Sequence, residues 1–246
     1  MPDHAVVTRE EWTEARKALL AREKEETRLR DAVNAERLAL PWVLVDKDYR
    51  FQTPEGEKSL GDLFAGRRQL LVYHFMLGPG WQAGCVGCSF VADHFDVTLP
   101  HLNHHDVTLV TVSRAPLDEI AAYQRRMGWR FPWVSSNGSD FNYDYHVSFT
   151  PEQMAGETVE YNFRDLATDK VDSEQPGLSA FWRDPDGSIY HCYSSYERGV
   201  ETLLGSFMIL DRAPLGRNEH GIMNWVRRHD EYGAAPVKSA CHGEAA

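Results

Sequence analysis

Cysteine is scarce: Cys85, Cys88, Cys192 and Cys241 are the four in a chain of 246 residues. That is too few for a disulfide framework at this length, so their roles narrow to redox chemistry, metal binding or packing. Positive charge is also short. Lys and Arg number 26 against 37 Asp and Glu, a formal net charge of −11, and this argues against general nucleic-acid binding, which needs clustered cations that release counterions. Long apolar runs are missing. The longest, around residues 69–77, is interrupted by His74 and falls far short of the roughly 20 residues of a membrane-spanning helix. Residues 1–11 lack the basic start and apolar stretch of a secretion signal. The expectation is a cytoplasmic protein with reduced thiols and neither membrane nor nucleic acid as partner. No internal repeat or low-complexity block is found. What is present is apolar material, 42% hydrophobic and 11% aromatic residues, enough to bury a large globular core.

Residues 1–40 read as a helical arm. Thr8 is placed to cap it, Glu11 completes a capping box and Pro41 closes it, giving about 30 residues and roughly 45 Å of helix. Trp12, Ala15, Leu19, Leu29 and Val33 recur at helical spacing, but the charged run REKEE at residues 22–26 interrupts the stripe. The arm either lies across its own domain or also packs on a second subunit. The incomplete stripe points to a homodimer, and sedimentation showing only monomer at micromolar concentration would contradict it.

Residues 41–232 form the main domain. A strand at 42–45, a turn-bearing stretch YRFQTPEGEKSL, and an apolar strand from Gln69 to Phe75 come first. A helix over 89–99, ended by Pro100, leads to the strand DVTLVTVS, to a helix opened by Pro116 and to the strand FPWVSS. Strand and helix alternate, which argues for a central sheet with parallel strands and crossover helices. Residues 137–172 read as an irregular insertion, in which alternating Phe141, Tyr143 and Tyr145 suit a half-buried strand better than an aromatic platform. GLSAFWRD and SIYHCYSSY flank Pro185, Asp186 and Gly187 as an antiparallel hairpin. A helix over 200–210 and the segment NEHGIMNWVRRHDEY follow, and residues 233–246 read as a disordered tail.

The pair Cys85 and Cys88 carries the chemistry. It lies after an apolar strand at the start of a helix, where unpaired N–H groups and the dipole favour thiolate. Cys85 is the attacking sulfur and Cys88 resolves the mixed disulfide. A rival is the zinc-finger spacing of Cys85, Cys88, His101 and His105. Pro100 and the acidic charge argue against a DNA finger, and another zinc site with a distant ligand stays open; HLNHH otherwise reads as a solvated loop. Around the pair, Trp81 is read as a wall of the site. Cys192 reads as a small buried hydrophobe rather than a third redox partner, and His74 as a hydrogen-bonded core histidine rather than a proton shuttle. Asp93 is either a solvated helix residue or a proton relay to Cys88. GPG at residues 78–80 is a turn, since the Walker pattern is absent.

YRFQTPEGEKSLGDLFAGRRQLLVYHF, WQAGCVGCS, DVTLVTVS, MGWRFPWVSS and PGLSAFWRDPDGSIYH together resemble the thioredoxin-like superfamily in its peroxiredoxin-related branch. TREEWTEARKALLAREKE, HFMLGPGWQAGCVGCSF, VSRAPLDEI, SSNGSDFNYDYHVSFT and HCYSSYERG resemble, more closely, the bacterial family called domain of unknown function 899. The resemblance implies an α/β, thioredoxin-like three-layer fold with a central mixed sheet, a long N-terminal helix and a C-terminal helical extension. It implies dithiol-disulfide oxidoreductase activity without a cofactor, acting on an unknown disulfide or thiol and recycled by a separate reductant. Carried over, the redox pair falls on Cys85 and Cys88, and Pro176 is the candidate for the substrate-docking cis-proline, a trans Pro176 that starts a strand being the alternative. Two departures stand out. Trp81 lies four residues before Cys85, whereas thioredoxin has its Trp directly before the first cysteine; and Ser89 and Arg114 do not map onto the Thr and Arg that support a peroxidatic cysteine. Two alternatives stay open: a thiol peroxidase whose Cys85 becomes sulfenic acid and condenses with Cys88, and a non-catalytic scaffold with a structural or metal-binding pair.

Overall fold

The computed structural model describes residues 4–233, so Cys241 and residues 234–246 of the expected tail lie outside the described residues. The chain divides after Trp42 into two units. The first contains α1 (Arg9–Leu38). Its capping box forms as the sequence predicts: Thr8 Oγ1 accepts from Glu11 N, and the Glu11 carboxylate accepts from Thr8 N at 2.9 Å. None of its residues is buried; Trp12, Leu19, Leu29 and Val33 are 41–66% exposed. Its surface is stitched by pairs such as Glu14–Lys17 and Arg22–Glu25, each contributing only a few tenths of a kcal/mol, roughly.

The second unit opens with β1 (Val43–Leu44), β2 (Arg50–Thr53), β3 (Gly56–Ser59) and the short α2 (Leu60–Leu63). Next come β4 (Gln69–His74), α3 (Val86–Ala92), α4 (Leu99–His104), β5 (Val107–Ser113), α5 (Leu117–Met127) and β6 (Trp133–Ser135). Then follow α6 (Phe141–Asp144), α7 (Pro151–Met154), β7 (Thr158–Tyr161), β8 (Arg164–Ala167), β9 (Gly177–Arg183), β10 (Ile189–Tyr196) and α8 (Gly205–Leu210). Eight strands make one sheet in the order β1-β10-β9-β4-β5-β6-β2-β3, and β7 and β8 pair separately. β4, β5 and β6 are parallel, while β9 lies antiparallel to β4 and β10 antiparallel to β9. The central sheet is mixed, as the resemblance implies.

The parallel strands advance in one direction across the sheet, so right-handed crossovers place α3 and α5 on the same face. Alternation along β4 then divides its side chains. Leu71, Tyr73 and Phe75 join the core with Cys85, Cys88, Phe90, Ile120 and Tyr123. Leu70 and Val72 join the opposite core with Phe51, Phe64, Val110, Phe141 and Phe181. Both faces of β4 are covered, which is why Leu70 to Tyr73 are consecutively apolar instead of alternating.

Several local expectations are corrected. The helix expected over 89–99 is two helices, α3 stopping at Ala92 and α4 starting at Leu99. Pro100 opens α4 instead of ending a helix, because its missing N–H is unneeded in a first turn. HLNHH consequently lies on α4 and at its end, not in a loop. Phe141, Tyr143 and Tyr145 do not form a strand: Phe141 and Tyr143 lie in the helical turn α6, with Tyr145 as its C-terminal cap. Phe141 and Tyr145 are buried against the sheet. The segment 137–172 is thereby more ordered than expected, holding α6, α7 and the β7–β8 hairpin. The helix expected over 200–210 is α-helical only in α8, preceded by a 3-10 stretch from Glu197 to Leu203.

Candidate active site

After β4 the chain keeps its tie to the sheet, with Phe75 N donating to Val112 O and Ala115 N to Leu77 O, both at 2.9 Å. Cys85 is bound to this strand end, its N–H donating to Met76 O at 3.0 Å, and serves as the N-terminal cap residue of α3. First-turn N–H groups have no partner within the helix and stabilise negative charge placed near them. Cys88 follows three residues on, the spacing that sets two side chains on one helical face. Cys85, Cys88 and Cys192 are all thiols, and the first two are buried, at 5% and 2% exposure. Ser89 anchors the turn: its hydroxyl donates to Cys85 O at 2.7 Å and lies 2.8 Å from the Tyr123 hydroxyl. Tyr73 hydrogen-bonds to Cys88 from β4; burial first, and the neighbouring cysteines second, hold its phenol well above the usual range.

Gly84 is required for this closeness. A Cβ there would stand 2.4 Å from Phe75 Cε1 and 2.8 Å from Tyr123 Cε1, on rings fixed in the core. Gly84→Ala is expected to destabilise by about 1–3 kcal/mol, the usual effect of overpacking; an unchanged urea midpoint would show that the loop yields freely.

A segment far away in sequence covers the pair. A Cβ on Gly87 would lie 3.3 Å from Met223 Cε and 3.8 Å from Cys85 Sγ. Arg228 donates from Nε and Nη2 to Gly84 O at 3.0 and 2.6 Å. Arg126 pairs with Asp230 and Glu231 at 2.8 Å each. Asp93 accepts from Trp129 Nε1 at 2.8 Å and meets His229 Nδ1 at 2.6 Å, so its carboxylate binds this segment. Local pattern gives no sign that Met223 and Arg228 belong here, since more than 130 residues separate them from the cysteines.

Trp81 lines a cleft of about 350 Å³ with Leu77, Gly80, Tyr123 and others; neither Cys85 nor Cys88 is among its lining residues. Near the same strand ends, Arg114 donates Nε to Glu174 Oε1 at 2.8 Å and also bonds the Tyr143 hydroxyl. The Ser148 hydroxyl donates to Glu174 Oε2 at 2.6 Å. Glu174 is 2% exposed, and burial raises its pKa despite the Arg114 charge. Pro176 precedes β9, whose Gly177 pairs with His74 at the end of β4. The peptide bonds of the described residues are all trans, so the cis geometry suggested for Pro176 is corrected; its carbonyl accepts from Tyr161 Oη at 2.7 Å.

His74 lies on the other face of β4, stacked on Phe141 with ring centroids 5.6 Å apart. Its Nε2 meets Ser179 Oγ at 2.9 Å, and a chain through Ser194 reaches His191. It is a core histidine. Burial drives its pKa down from 6.5 to about 3, so between these values the unfolded chain takes up a proton that the folded chain refuses. Stability from this group is present above pH 6.5 and lost as pH falls toward 3, at about 1.4 kcal/mol for each pH unit within that window. His74→Phe is expected to flatten the fall of the urea midpoint between pH 6 and 4; a slope like that of the unaltered protein would exclude His74 as its source. Cys192 sits where the β9–β10 register slips, its thiol pushed up to about 11 by burial, a poor nucleophile. The finger spacing is not assembled: no three His, Cys, Asp or Glu side chains among the described residues converge to hold a metal ion.

A family model described as bacterial protein of unknown function (DUF899) matches residues 1–232. No curated protein matches the chain. Similar solved structures include a peroxiredoxin Q mutant from Xanthomonas campestris, 13% identical, with a TM-score of 0.43 over 69% of this chain and 98% of that one. A PrxQ mutant from Xylella fastidiosa is 15% identical, with a TM-score of 0.42 over 68% and 94%. Peroxidoxin BcpB from Mycobacterium tuberculosis is 12% identical, with a TM-score of 0.39 over 70% and 97%.

Proposed function

The chain belongs to the bacterial family of unknown function DUF899, and from that footing we propose that it is a thiol-disulfide oxidoreductase in which Cys85 attacks and Cys88 resolves. The observation that carries the reading is the placement of two thiols at the junction of β4 and α3. Cys85 caps the helix, Cys88 lies one turn on, and Tyr73 reaches Cys88 from the strand below. Cys85 as thiolate displaces one sulfur of a disulfide substrate; Cys88 then attacks Cys85 and releases the second thiol. Trp81 and Pro176 are proposed to contact substrate.

The test is the redox equilibrium of the pair in graded thiol and disulfide buffers, read by alkylation and peptide mass mapping. A reversible Cys85–Cys88 bond with a midpoint between roughly −270 and −120 mV supports catalytic exchange. A pair that never closes, or that bound zinc shields from alkylation, overturns it in favour of a scaffold.

The near-complete burial of both sulfurs favours a second reading, a thiol peroxidase, because a peroxide needs far less access than a protein disulfide. Here Cys85 is oxidised to sulfenic acid and Cys88 condenses with it, releasing water. Stopped-flow mixing with hydrogen peroxide at a rate no better than a free thiol's would exclude this reading.

A further inference from the structure

The cleft beside Trp81 has a built polarity. One wall is the turn carrying Gly80 and Trp81; the other is the face of α5 that presents Glu119, Ala122, Tyr123 and Arg126. Glu119 Oε2 accepts from Gly80 N at 3.0 Å, which holds this carboxylate across the cleft, while Oε1 accepts from no described residue. Arg126 spends Nε and Nη2 on Asp230 and Glu231, and its Nη1 donates to no described residue. One end of the cleft thus offers a carboxylate oxygen and the other a guanidinium N–H. Seven residues of helix separate them, about 10.5 Å of rise, and three extended residues span about 10 Å. The volume, about 350 Å³, falls at the small-ligand end of binding sites, roughly 300–1,000 Å³. Tyr123 links the cleft floor to the cysteine turn through Ser89, which bonds Cys85 O. Met223 and Arg228 pack against the cysteine turn at Gly87 and Gly84, and the two cysteines are 5% and 2% exposed, which favours a small substrate over a folded protein.

We propose that this cleft binds one half of a small disulfide of tripeptide length, its amino end toward Glu119 and its carboxylate end toward Arg126. The inference rests on the thiol-disulfide reading and names its substrate class. Cys85 gives up its proton, its sulfur bonds one substrate sulfur, and the substrate S–S bond breaks; the departing thiolate takes up a proton. Cys88, deprotonated in turn, bonds Cys85 Sγ and releases the bound half as a second thiol. Two electrons pass from the protein dithiol to the disulfide, and both protons leave on the products.

The test is the rate at which reduced full-length protein is oxidised by three disulfides: oxidised glutathione, bis(2-hydroxyethyl) disulfide and cystamine. Each rate is divided by that of the same disulfide with free N-acetylcysteine. Oxidised glutathione is expected to lead both others by about tenfold, equivalent to roughly 1.4 kcal/mol. Glu119→Gln, which retains an acceptor for Gly80 N, and Arg126→Gln should each lower that ratio several-fold. Equal normalised rates, or a ratio unmoved in both variants, overturn the substrate class while leaving dithiol exchange intact. Cystamine matching oxidised glutathione would show attraction of cations to an acidic protein and also overturns it. If none of the three closes the Cys85–Cys88 bond, the thiol-disulfide reading itself fails and takes this inference with it.

Discussion

Cys85→Ser is expected to abolish disulfide exchange, a loss of about a thousandfold or more, because a serine hydroxyl at neutral pH does not attack sulfur. Cys88→Ser should behave differently. Its Cys85 still performs the first displacement, but nothing resolves the product, so a mixed disulfide accumulates and appears as a mass increase of one substrate half on the peptide carrying Cys85. The asymmetry follows from position: Cys85 caps α3 and is tied to the strand end through Met76, while Cys88 lies deeper, at 2% exposure and against Tyr73. Exchange assays on both variants, with intact mass measured after quenching, check this. Full activity in Cys85→Ser would sink the assignment, as would a mixed disulfide trapped on Cys88 rather than Cys85.

Arg114→Met is expected to cost about 3–5 kcal/mol at pH 7, the usual consequence of stranding one member of a buried ion pair. Glu174 keeps only the Ser148 hydroxyl as donor after that change. Burial already raises its pKa with Arg114 present, and removing the guanidinium raises it further. The folded chain then holds a proton that the unfolded chain releases above pH 4.5, so stability of the variant falls as pH rises from there. The deficit is therefore smallest near pH 4.5 and largest toward pH 8. Urea unfolding across that range measures it, and a deficit independent of pH would contradict the charge argument. Adding Glu174→Leu to Arg114→Met should recover much of the loss, because no charge is left buried.

Much of this was legible in the sequence, for a physical reason: short-range signals suffice where chain neighbours make the contacts. Thr8 and Glu11 announced the start of α1, the consecutive apolar residues Leu70 to Tyr73 of β4 reflected cover on both faces, and Pro185 to Gly187 marked the β9–β10 hairpin. Cys85 and Cys88, three residues apart after a strand, stood out by spacing alone as the candidate pair, and the long motifs around them carried the family and the mixed central sheet. The errors lie where distant packing outweighed local pattern. Phe141, Tyr143 and Tyr145 alternate as a strand would, yet the chain turns there as α6 because Phe141 and Tyr145 bury against His74, Phe181 and the sheet. Pro100 begins a helix instead of ending one because the chain has already left α3 at Ala92. The surroundings of the dithiol depended wholly on the fold. Met223 and Arg228 reach it across more than 130 residues, Glu174 meets Arg114 across 60, and Glu119 faces Trp81 across a cleft that exists only once α5 has docked. Spacing in the sequence singles out the two cysteines proposed to react; which side chains surround them follows from three-dimensional packing that no local pattern records.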